Sequence, residues 1–222
     1  MLEAVNIFKS YGKGCTEVSV LKGLDFAYHG KEIVGVYGPS GSGKSTFLHI
    51  LGGIDKPDKG KVLFDGSDIY AYDDKKLSAF RNKTVGFVFQ LYHLLPEFSA
   101  LENVMMPPLI SGIKQKEARE MALSAIEKVG LLERIHHKPS ELSGGEQQRI
   151  AIARAIVMFP KILLADEPTG NLDKKTGIEI IEVLKELNTK YGVGIIMVTH
   201  DQSLINDMDR KMELCDGRLN EI

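Results

Sequence analysis

Apolar residues in this chain form short runs separated by stretches with helical spacing. Continuous apolar runs, typical of strands buried on both faces of a parallel sheet, occur at 33–37, 85–89, 162–165 and 195–198. Stretches with a helical pattern of apolar residues lie between these runs, at 46–51, 116–128 and 176–190. The alternation predicts an α/β fold with a mostly parallel sheet that helices cover on both faces.

Two regions depart from this alternation. The first 30 or so residues and the run Lys61–Phe64 have a strand-like pattern, with Leu24, Phe26 and Tyr28 on one face, and predict an N-terminal antiparallel β-subdomain. Residues from about 95 to 140 are helical in character, with Pro107-Pro108 and Gly130 as breakers. We expect one domain over residues 1–222, with a helical subdomain inserted at about 95–140. The charged run 73–76 is expected to be a solvated turn.

Composition restricts the class of protein. The 222 residues carry 28 Lys and Arg against 30 Asp and Glu, a balance that gives no general attraction to nucleic acid. We expect no secretory signal at the N-terminus, and no run approaches the roughly 18 apolar residues of a membrane helix. A membrane connection is therefore expected only through a partner protein. Cys15 and Cys215 have no metal-like spacing and are expected to be reduced thiols.

A glycine-rich loop follows the first buried run and precedes a helical stretch. It matches G-x-x-x-x-G-K-[ST] and reads Gly38-Pro39-Ser40-Gly41-Ser42-Gly43-Lys44-Ser45. Glycines let backbone N–H groups converge on phosphate oxygens, and the helix start adds its positive dipole end. Lys44 is suited to reach the β- and γ-phosphates, and the Ser45 hydroxyl is suited to ligate magnesium. The loop predicts binding of a nucleoside triphosphate with Mg²⁺.

Two carboxylates end the apolar run at 162–165. Unpaired carboxylates beside a core are costly, so Asp166 and Glu167 are expected to have chemical roles. Asp166 is predicted to help hold the magnesium ion, and Glu167 to polarise the attacking water as general base.

A second candidate anion site lies at Leu142-Ser143-Gly144-Gly145-Glu146. Ser143 and Glu146 have capping-box spacing, and the glycines leave the N-terminus of the following helix open to an anion. Because the first loop already holds the phosphates, a second anion site suggests that two chains share each nucleotide.

In these motifs the chain resembles the ATP-binding cassette (ABC) family. Leu142 to Glu146 matches the LSGGE form of the family signature, and the other motifs occur in family order: Gln90 (Q-loop), Asp166-Glu167, Gly170-Asn171-Leu172-Asp173 (D-loop) and His200 (H-loop). The resemblance extends from Tyr11 to about Gly217 and implies a P-loop ABC ATPase core.

The resemblance also implies roles for single residues. It makes Glu167, His200, Gln90 and Lys44 catalytic, with His200 at the γ-phosphate. It makes Ser45, Gln90 and Asp166 the magnesium site, Tyr11 the residue that stacks on adenine, and Asp173 a bridge between two subunits. ATP would be held by Tyr11, the loop from Gly38 to Ser45, and Thr46. Ser143, Gly144, Gly145 and Glu146 of a second copy would contact the same ATP.

The partners expected from the resemblance are a second copy of the chain and integral membrane transporter subunits. These subunits would dock near Leu91–Phe98, an apolar stretch after Gln90, so that the chain would lie on the inner face of the cell membrane. The stretch 94–107 and the D-loop resemble cassettes of lipoprotein-releasing systems. Macrolide-export and cell-division cassettes are alternatives, and a soluble ABC ATPase is disfavoured because the interval from Gln90 to the signature has no heptad run. A non-hydrolysing scaffold would need degraded catalytic residues, and none is degraded.

Overall fold

The computed structural model describes the backbone of residues 1–222 and every side chain except that of Cys15. The helices are α1 (Lys44–Leu51), α2 (Asp74–Lys83), α3 (Ala100–Ile110), α4 (Gln115–Lys128), α5 (Gly144–Ile156) and α6 (Lys174–Tyr191). The strands are β1 (Leu2–Tyr11), β2 (Val18–Tyr28), β3 (Ile33–Tyr37), β4 (Lys59–Phe64), β5 (Ser67–Asp68), β6 (Val85–Val88), β7 (Ile162–Asp166), β8 (Gly194–Thr199), β9 (Arg210–Cys215) and β10 (Arg218–Glu221).

The chain divides into two compact units, of which the first comprises Met1–Arg81 and Ile196–Ile222. Its N-terminal strands form an antiparallel sheet of order β2-β1-β4-β5, which confirms the predicted antiparallel β-subdomain. A second sheet in this unit has the order β10-β9-β3-β8, with β3 parallel to β9 and β10 antiparallel to β9. In β2, Leu24, Phe26 and Tyr28 are buried, as their alternation predicts. Phe26 meets Phe47 of α1 edge to face, with ring centroids 5.3 Å apart.

The second unit comprises Asn82–Ile195. Here β6 pairs in parallel with β7, and α5 packs against β6 and three helices, α3, α4 and α6. Ile150, Ala151, Ile152 and Ala153 of α5 are each at most 1% exposed, so the middle turn of this helix is buried on every side. Helices α3 and α4 lie within the range expected for the inserted subdomain, whose limits stay a prediction. Among the described residues, no helix combines the length and the apolar character needed to cross a bilayer.

Two local expectations are wrong, and one hairpin was not predicted. The charged run at 73–76 begins α2 instead of forming a solvated turn, because the Asp73 carboxylate accepts a hydrogen bond from the Lys76 backbone N–H at 2.7 Å. Pro107 and Pro108 lie inside α3, where they were expected to interrupt it. The β9–β10 hairpin was not predicted, although its turn has the Asp216-Gly217 dipeptide, with both residues at positive φ.

Two glycines in and after β4 offer a matched test of the antiparallel sheet. Gly60 has φ +93°, and a Cβ there would lie 2.4 Å from the Asn6 carbonyl oxygen; Gly66 has φ +79° with nothing within 4 Å of such a Cβ. We expect Gly60→Ala to lower the free energy of unfolding by about 3 kcal/mol, since strain and a backbone clash add. Gly66→Ala is expected to cost only about 1 kcal/mol, from backbone strain alone. Urea unfolding followed by circular dichroism measures both, and equal losses would contradict the assigned clash.

Candidate nucleotide-binding site

The phosphate loop joins β3 to α1 in the first unit. The Gly38 N–H donates to the Thr199 carbonyl oxygen at 3.3 Å, and a Cβ at Gly38 would lie 2.4 Å from the Leu214 carbonyl oxygen. Gly43 has φ +102°, and a Cβ there would lie 2.8 Å from the Val20 side chain. Glycine is therefore required at Gly38 because the backbone of Leu214 lies so close, and at Gly43 because its backbone is in the left-handed region.

The loop leaves hydrogen-bond donors for an anion. Gly43 is the N-cap of α1 and supplies no side-chain hydrogen bond, so the first N–H groups of this helix have no intrahelical acceptor. The Lys44 ammonium, 7% exposed, curls over the loop and donates to the carbonyl oxygens of Gly38 at 2.8 Å and Pro39 at 3.0 Å. The Ser42 hydroxyl is buried and has no hydrogen-bond partner among the described residues. Convergent N–H groups, a buried ammonium and an unsatisfied hydroxyl fit a phosphate group.

Tyr11 ends β1 and stays 43% exposed. Its hydroxyl donates to the Asp55 carboxylate at 2.5 Å, and Asp55 also accepts from the Lys9 ammonium at 2.6 Å. Burial, together with the hydrogen bond to Asp55, raises the pKa of the Tyr11 hydroxyl above its usual value. The ring is thus fixed at its hydroxyl end while part of its surface is accessible, an arrangement that fits a stacking platform.

The two acidic residues lie in the second unit at the end of β7, where both are half-buried. Glu167 has φ +47°, a left-handed conformation that is strained for a non-glycine residue and is concentrated at functional sites. The next residue, Pro168, accepts a hydrogen bond at 2.6 Å from the side-chain amide of Gln148, which is fully buried in α5. The signature helix therefore fixes the backbone beside Glu167. Gln148 was not predicted from the sequence, because its partner is a backbone carbonyl group 20 residues away.

Gln90 follows β6 and lies against the D-loop. Its side-chain amide donates to the Asn171 side-chain oxygen at 3.4 Å, and the Asn171 amide donates to the Gln90 carbonyl oxygen at 2.9 Å. A Cβ at Gly170 would lie 2.8 Å from the Gln90 amide nitrogen, so glycine permits this contact. The structure thus brings together two motifs, the Q-loop and the D-loop, that are 81 residues apart in sequence.

The signature residues begin α5. Ser143 is the N-cap and forms the predicted capping box: its hydroxyl accepts from the Glu146 N–H at 3.3 Å, and the Glu146 carboxylate accepts from the Ser143 N–H at 2.8 Å. A Cβ at Gly145 would lie 2.5 Å from Thr176 of α6, so this glycine allows the two helix starts to approach. Ser143 itself is exposed, which leaves the start of α5 accessible.

Asp173 is the N-cap of α6. Its carboxylate accepts hydrogen bonds from the Thr176 hydroxyl at 2.6 Å and from the backbone N–H groups of Lys175 and Thr176. These bonds, foremost the one from the Thr176 hydroxyl, hold the pKa of Asp173 below its usual value. The Asp173 side chain is exposed, and these hydrogen bonds hold it in place. Its role as a bridge between two subunits stays a prediction.

The stretch Leu91–Phe98 exposes apolar side chains on a fixed backbone. Leu91 is 66% exposed and Phe98 is 38% exposed. Arg154 of α5 donates to the carbonyl oxygens of Tyr92 at 2.7 Å and His93 at 2.6 Å, and burial lowers the pKa of its guanidinium. Arg154 was not predicted from the sequence.

A buried amide fixes the other end of the same stretch. Asn103 is fully buried, and its side-chain oxygen accepts a hydrogen bond from the Leu95 N–H at 2.7 Å. Its side-chain NH₂ group donates to the carbonyl oxygens of Leu95, Phe98 and Ser99. Asn103 was not predicted from the sequence either, because all four groups that hold it are backbone groups.

The predicted site residues are distributed over both units. The first unit contains Tyr11, the loop from Gly38 to Thr46, and His200, which is exposed after β8. The second unit contains Gln90, Asp166, Glu167, Asp173 and the signature. Within the second unit, α5 connects the signature, the segment after β7 and the stretch Leu91–Phe98.

Comparison with known proteins identifies the family. The family model described as "ABC transporter" matches residues 21–170, more than half of the chain. The lipoprotein-releasing system ATP-binding proteins LolD of Geobacter metallireducens and Syntrophus aciditrophicus are each 52% identical over 99% of this chain, and the matches cover 97% and 98% of those proteins. A dimeric structure of the ATP-binding cassette MJ0796 in a post-hydrolysis state, bound to ADP and Pi, has a TM-score of 0.91 and 40% identity, and the match covers 100% of this chain and 98% of that chain. The resemblance drawn from the motifs is confirmed, and the chain belongs to the ABC transporter family.

Proposed function

We propose that this chain is the ATP-hydrolysing subunit of a membrane ABC transporter that releases lipoproteins from the inner membrane. The observation that carries the proposal is the 52% identity to lipoprotein-releasing ATP-binding proteins over 99% of the chain. The transport step itself would belong to membrane subunits, and this chain would supply the energy of ATP hydrolysis.

ATP would bind with its phosphates at the start of α1. The N–H groups of the helix start and the Lys44 ammonium would hold the β- and γ-phosphates, and Tyr11 would stack on the adenine. Oxygen donors of Ser45 and Asp166, with the Gln90 amide oxygen, form a set that suits Mg²⁺. Magnesium, when bound, supplies positive charge that neutralises the phosphate oxygens.

Glu167 would act as general base toward the attacking water. Its strained backbone and the clamp from Gln148 to Pro168 support a role that depends on exact placement of the carboxylate. The His200 side chain would contact the γ-phosphate, and Gln90 would contact the attacking water. Lys44 would stabilise the charge that develops on the transferred phosphoryl group.

Two chains would form a head-to-tail dimer with an ATP molecule at each of two sites. Each ATP would lie between the phosphate loop of one chain and the signature of the other, with Asp173 linking the sites. The exposed start of α5 and the dimeric state of the MJ0796 cassette support this arrangement. Because the γ-phosphate joins the two chains, hydrolysis would release them and produce motion.

Membrane subunits would receive this motion through Leu91–Phe98, and the chain would be cytoplasmic, held peripherally at the inner face of the membrane. Exposed apolar residues on a backbone clamped by Arg154 and Asn103 support a docking surface that transmits force to α5.

Replacing the general base separates hydrolysis from dimerisation. Glu167→Gln is expected to lower the hydrolysis rate by about 100-fold or more while ATP still holds two chains together, because the amide cannot accept the proton of water. Phosphate release and sedimentation velocity measure the two properties. Glu182→Gln, the same change at an exposed carboxylate of α6, serves as control. Turnover at the wild-type rate in Glu167→Gln would refute the assigned role.

Mixing two inactive chains tests whether each site is shared. Lys44→Gln impairs the phosphate loop and Ser143→Arg impairs the signature, so each variant alone is expected to be nearly inactive. In a mixed dimer one shared site has both defects and the other has none, so an equimolar mixture should recover about a quarter of wild-type activity. No recovery in a mixture that demonstrably forms mixed dimers would mean that each chain completes its own site.

Co-purification tests the membrane partner. Tagged chain extracted with detergent from its own cells is expected to carry the membrane subunits of a lipoprotein-releasing system, identified by mass spectrometry. Leu91→Asp or Phe98→Asp should abolish this association because a charge would be buried at the docking surface. Ile222→Asp, at an exposed apolar residue of the C-terminus, should not. Recovery of macrolide-export or cell-division subunits instead would reassign the transporter.

A further inference from the structure

The signature helix contains an electrostatic conflict. Glu146 is in the first turn of α5, so its carboxylate lies at the helix start where the proposed function places a γ-phosphate from another chain. A carboxylate at this position occupies the positive end of the helix dipole and repels a second anion. The proposed site therefore needs a means of neutralising Glu146.

The structure contains such a means in Arg134. Its guanidinium donates to one Glu146 carboxylate oxygen at 2.8 Å, while the other oxygen accepts from the Ser143 N–H and hydroxyl, each at 2.8 Å. Hydrogen bonds from the Ser143 backbone and from Arg134 hold the pKa of Glu146 at about 2, so the group is ionised and engaged on both oxygens. The carboxylate is thus bound between Ser143 and Arg134.

Arg134 is also the single basic residue of an acidic depression beside the signature. The depression has a volume of about 450 Å³, and its lining includes three carboxylates, those of Glu127, Glu133 and Glu146. Loss of the guanidinium would leave these three negative charges without a positive one in the lining, next to the accessible start of α5.

A second helix of the same chain shows that the capping geometry does not need an arginine. Ser99 and Glu102 begin α3 with the same capping box, and the Glu102 carboxylate accepts from the Ser99 N–H and hydroxyl at 2.8 Å each. Among the described side chains, no arginine pairs with the Glu102 carboxylate; the hydrogen bonds from Ser99 lower the pKa of Glu102, and the charge of Lys138 adds a smaller lowering effect. Since the cap at α3 forms without an arginine partner, the capping geometry at α5 does not by itself require Arg134.

The backbone that carries Arg134 is fixed by the start of α3. The Ala100 N–H donates to the His137 carbonyl oxygen at 2.8 Å, and the Leu101 N–H donates to the Ile135 carbonyl oxygen at 3.0 Å. The His137 N–H in turn donates to the Arg134 carbonyl oxygen at 3.0 Å. The guanidinium is therefore presented from an ordered turn, although its side chain is 45% exposed.

We propose that Arg134 is a positioning residue of the signature site, which neutralises Glu146 and holds its carboxylate against Ser143 so that the start of α5 accepts the γ-phosphate of an ATP bound to a second chain. The inference rests on the proposed function, since it needs the ATP to be shared between chains. It predicts that loss of Arg134 weakens ATP-dependent dimerisation only when residue 146 is negatively charged. A purely structural role of Arg134 would not depend on that charge.

A double-mutant cycle measures this dependence. All chains carry Glu167→Gln so that ATP is not consumed, and sedimentation velocity gives the ATP concentration for half-maximal dimerisation. Arg134→Gln is expected to raise this concentration about tenfold when Glu146 is present, and less than twofold when combined with Glu146→Gln. Arg134→Lys should retain most of the affinity because it keeps the charge. At high salt, Arg134→Gln should raise this ATP concentration by a smaller factor, since salt screens the repulsion between Glu146 and the phosphate.

Controls separate the possible failures. Lys185→Gln removes one positive charge from an exposed pair on α6 and should leave the concentration for half-maximal dimerisation unchanged, and melting temperatures report whether each variant is folded. The inference would be overturned if Arg134→Gln raised the ATP concentration for half-maximal dimerisation equally with Glu146 and with Glu146→Gln, or in neither case. If ATP fails to dimerise the chain that carries Glu167→Gln alone, the shared-site proposal fails instead, whatever the role of Arg134.

Discussion

Binding of a phosphate group at a helix start requires backbone N–H groups that have no acceptor within the helix. Helix α1 meets this requirement because its N-cap is Gly43, which has no side chain to accept a hydrogen bond and curls through positive φ. The neighbouring backbone permits no larger residue at Gly38. Much of the first unit supports this loop, since the loop directly follows β3 and the N–H donors lie at the start of α1.

Helix α5 has the corresponding place in the second unit. Its middle turn is buried on every side and it contacts three other helices and β6, so its position cannot change without repacking them. Among its polar side chains, Glu146 lies at its start, Gln148 donates to the segment after β7, and Arg154 donates to the stretch Leu91–Phe98. One helix therefore connects the signature, the backbone beside the proposed general base and the stretch proposed to meet the membrane subunits.

The two helix starts solve the same electrostatic problem differently. At α1 the positive charge of Lys44 is buried over the loop, and no acidic residue occurs in the first turn. At α5 the first turn includes Glu146, a residue that stabilises the helix yet opposes an anion, and Arg134 compensates its charge. At α5, Glu146 stabilises the helix but would weaken phosphate binding. The positive charge of Arg134, which lies on a neighbouring turn, offsets this second effect.

From the sequence alone, the motifs identified the phosphate loop and the resemblance to the ABC family, and the periodicity of apolar residues predicted the α/β fold with its antiparallel N-terminal strands. Motifs and periodicity are local features, so neither needs the tertiary structure. It also predicted the capping box at Ser143, since a cap involves residues three apart. Only the tertiary structure decided which side chains hold these motifs in place. The partners of Gln148 and Arg154 are backbone carbonyl groups 20 and 61 or 62 residues away, and those of Asn103 are backbone groups four to eight residues away. Backbone groups have no residue-type signature. Arg134 and Glu146 are 12 residues apart and belong to different elements, so their pairing follows from packing and not from any motif.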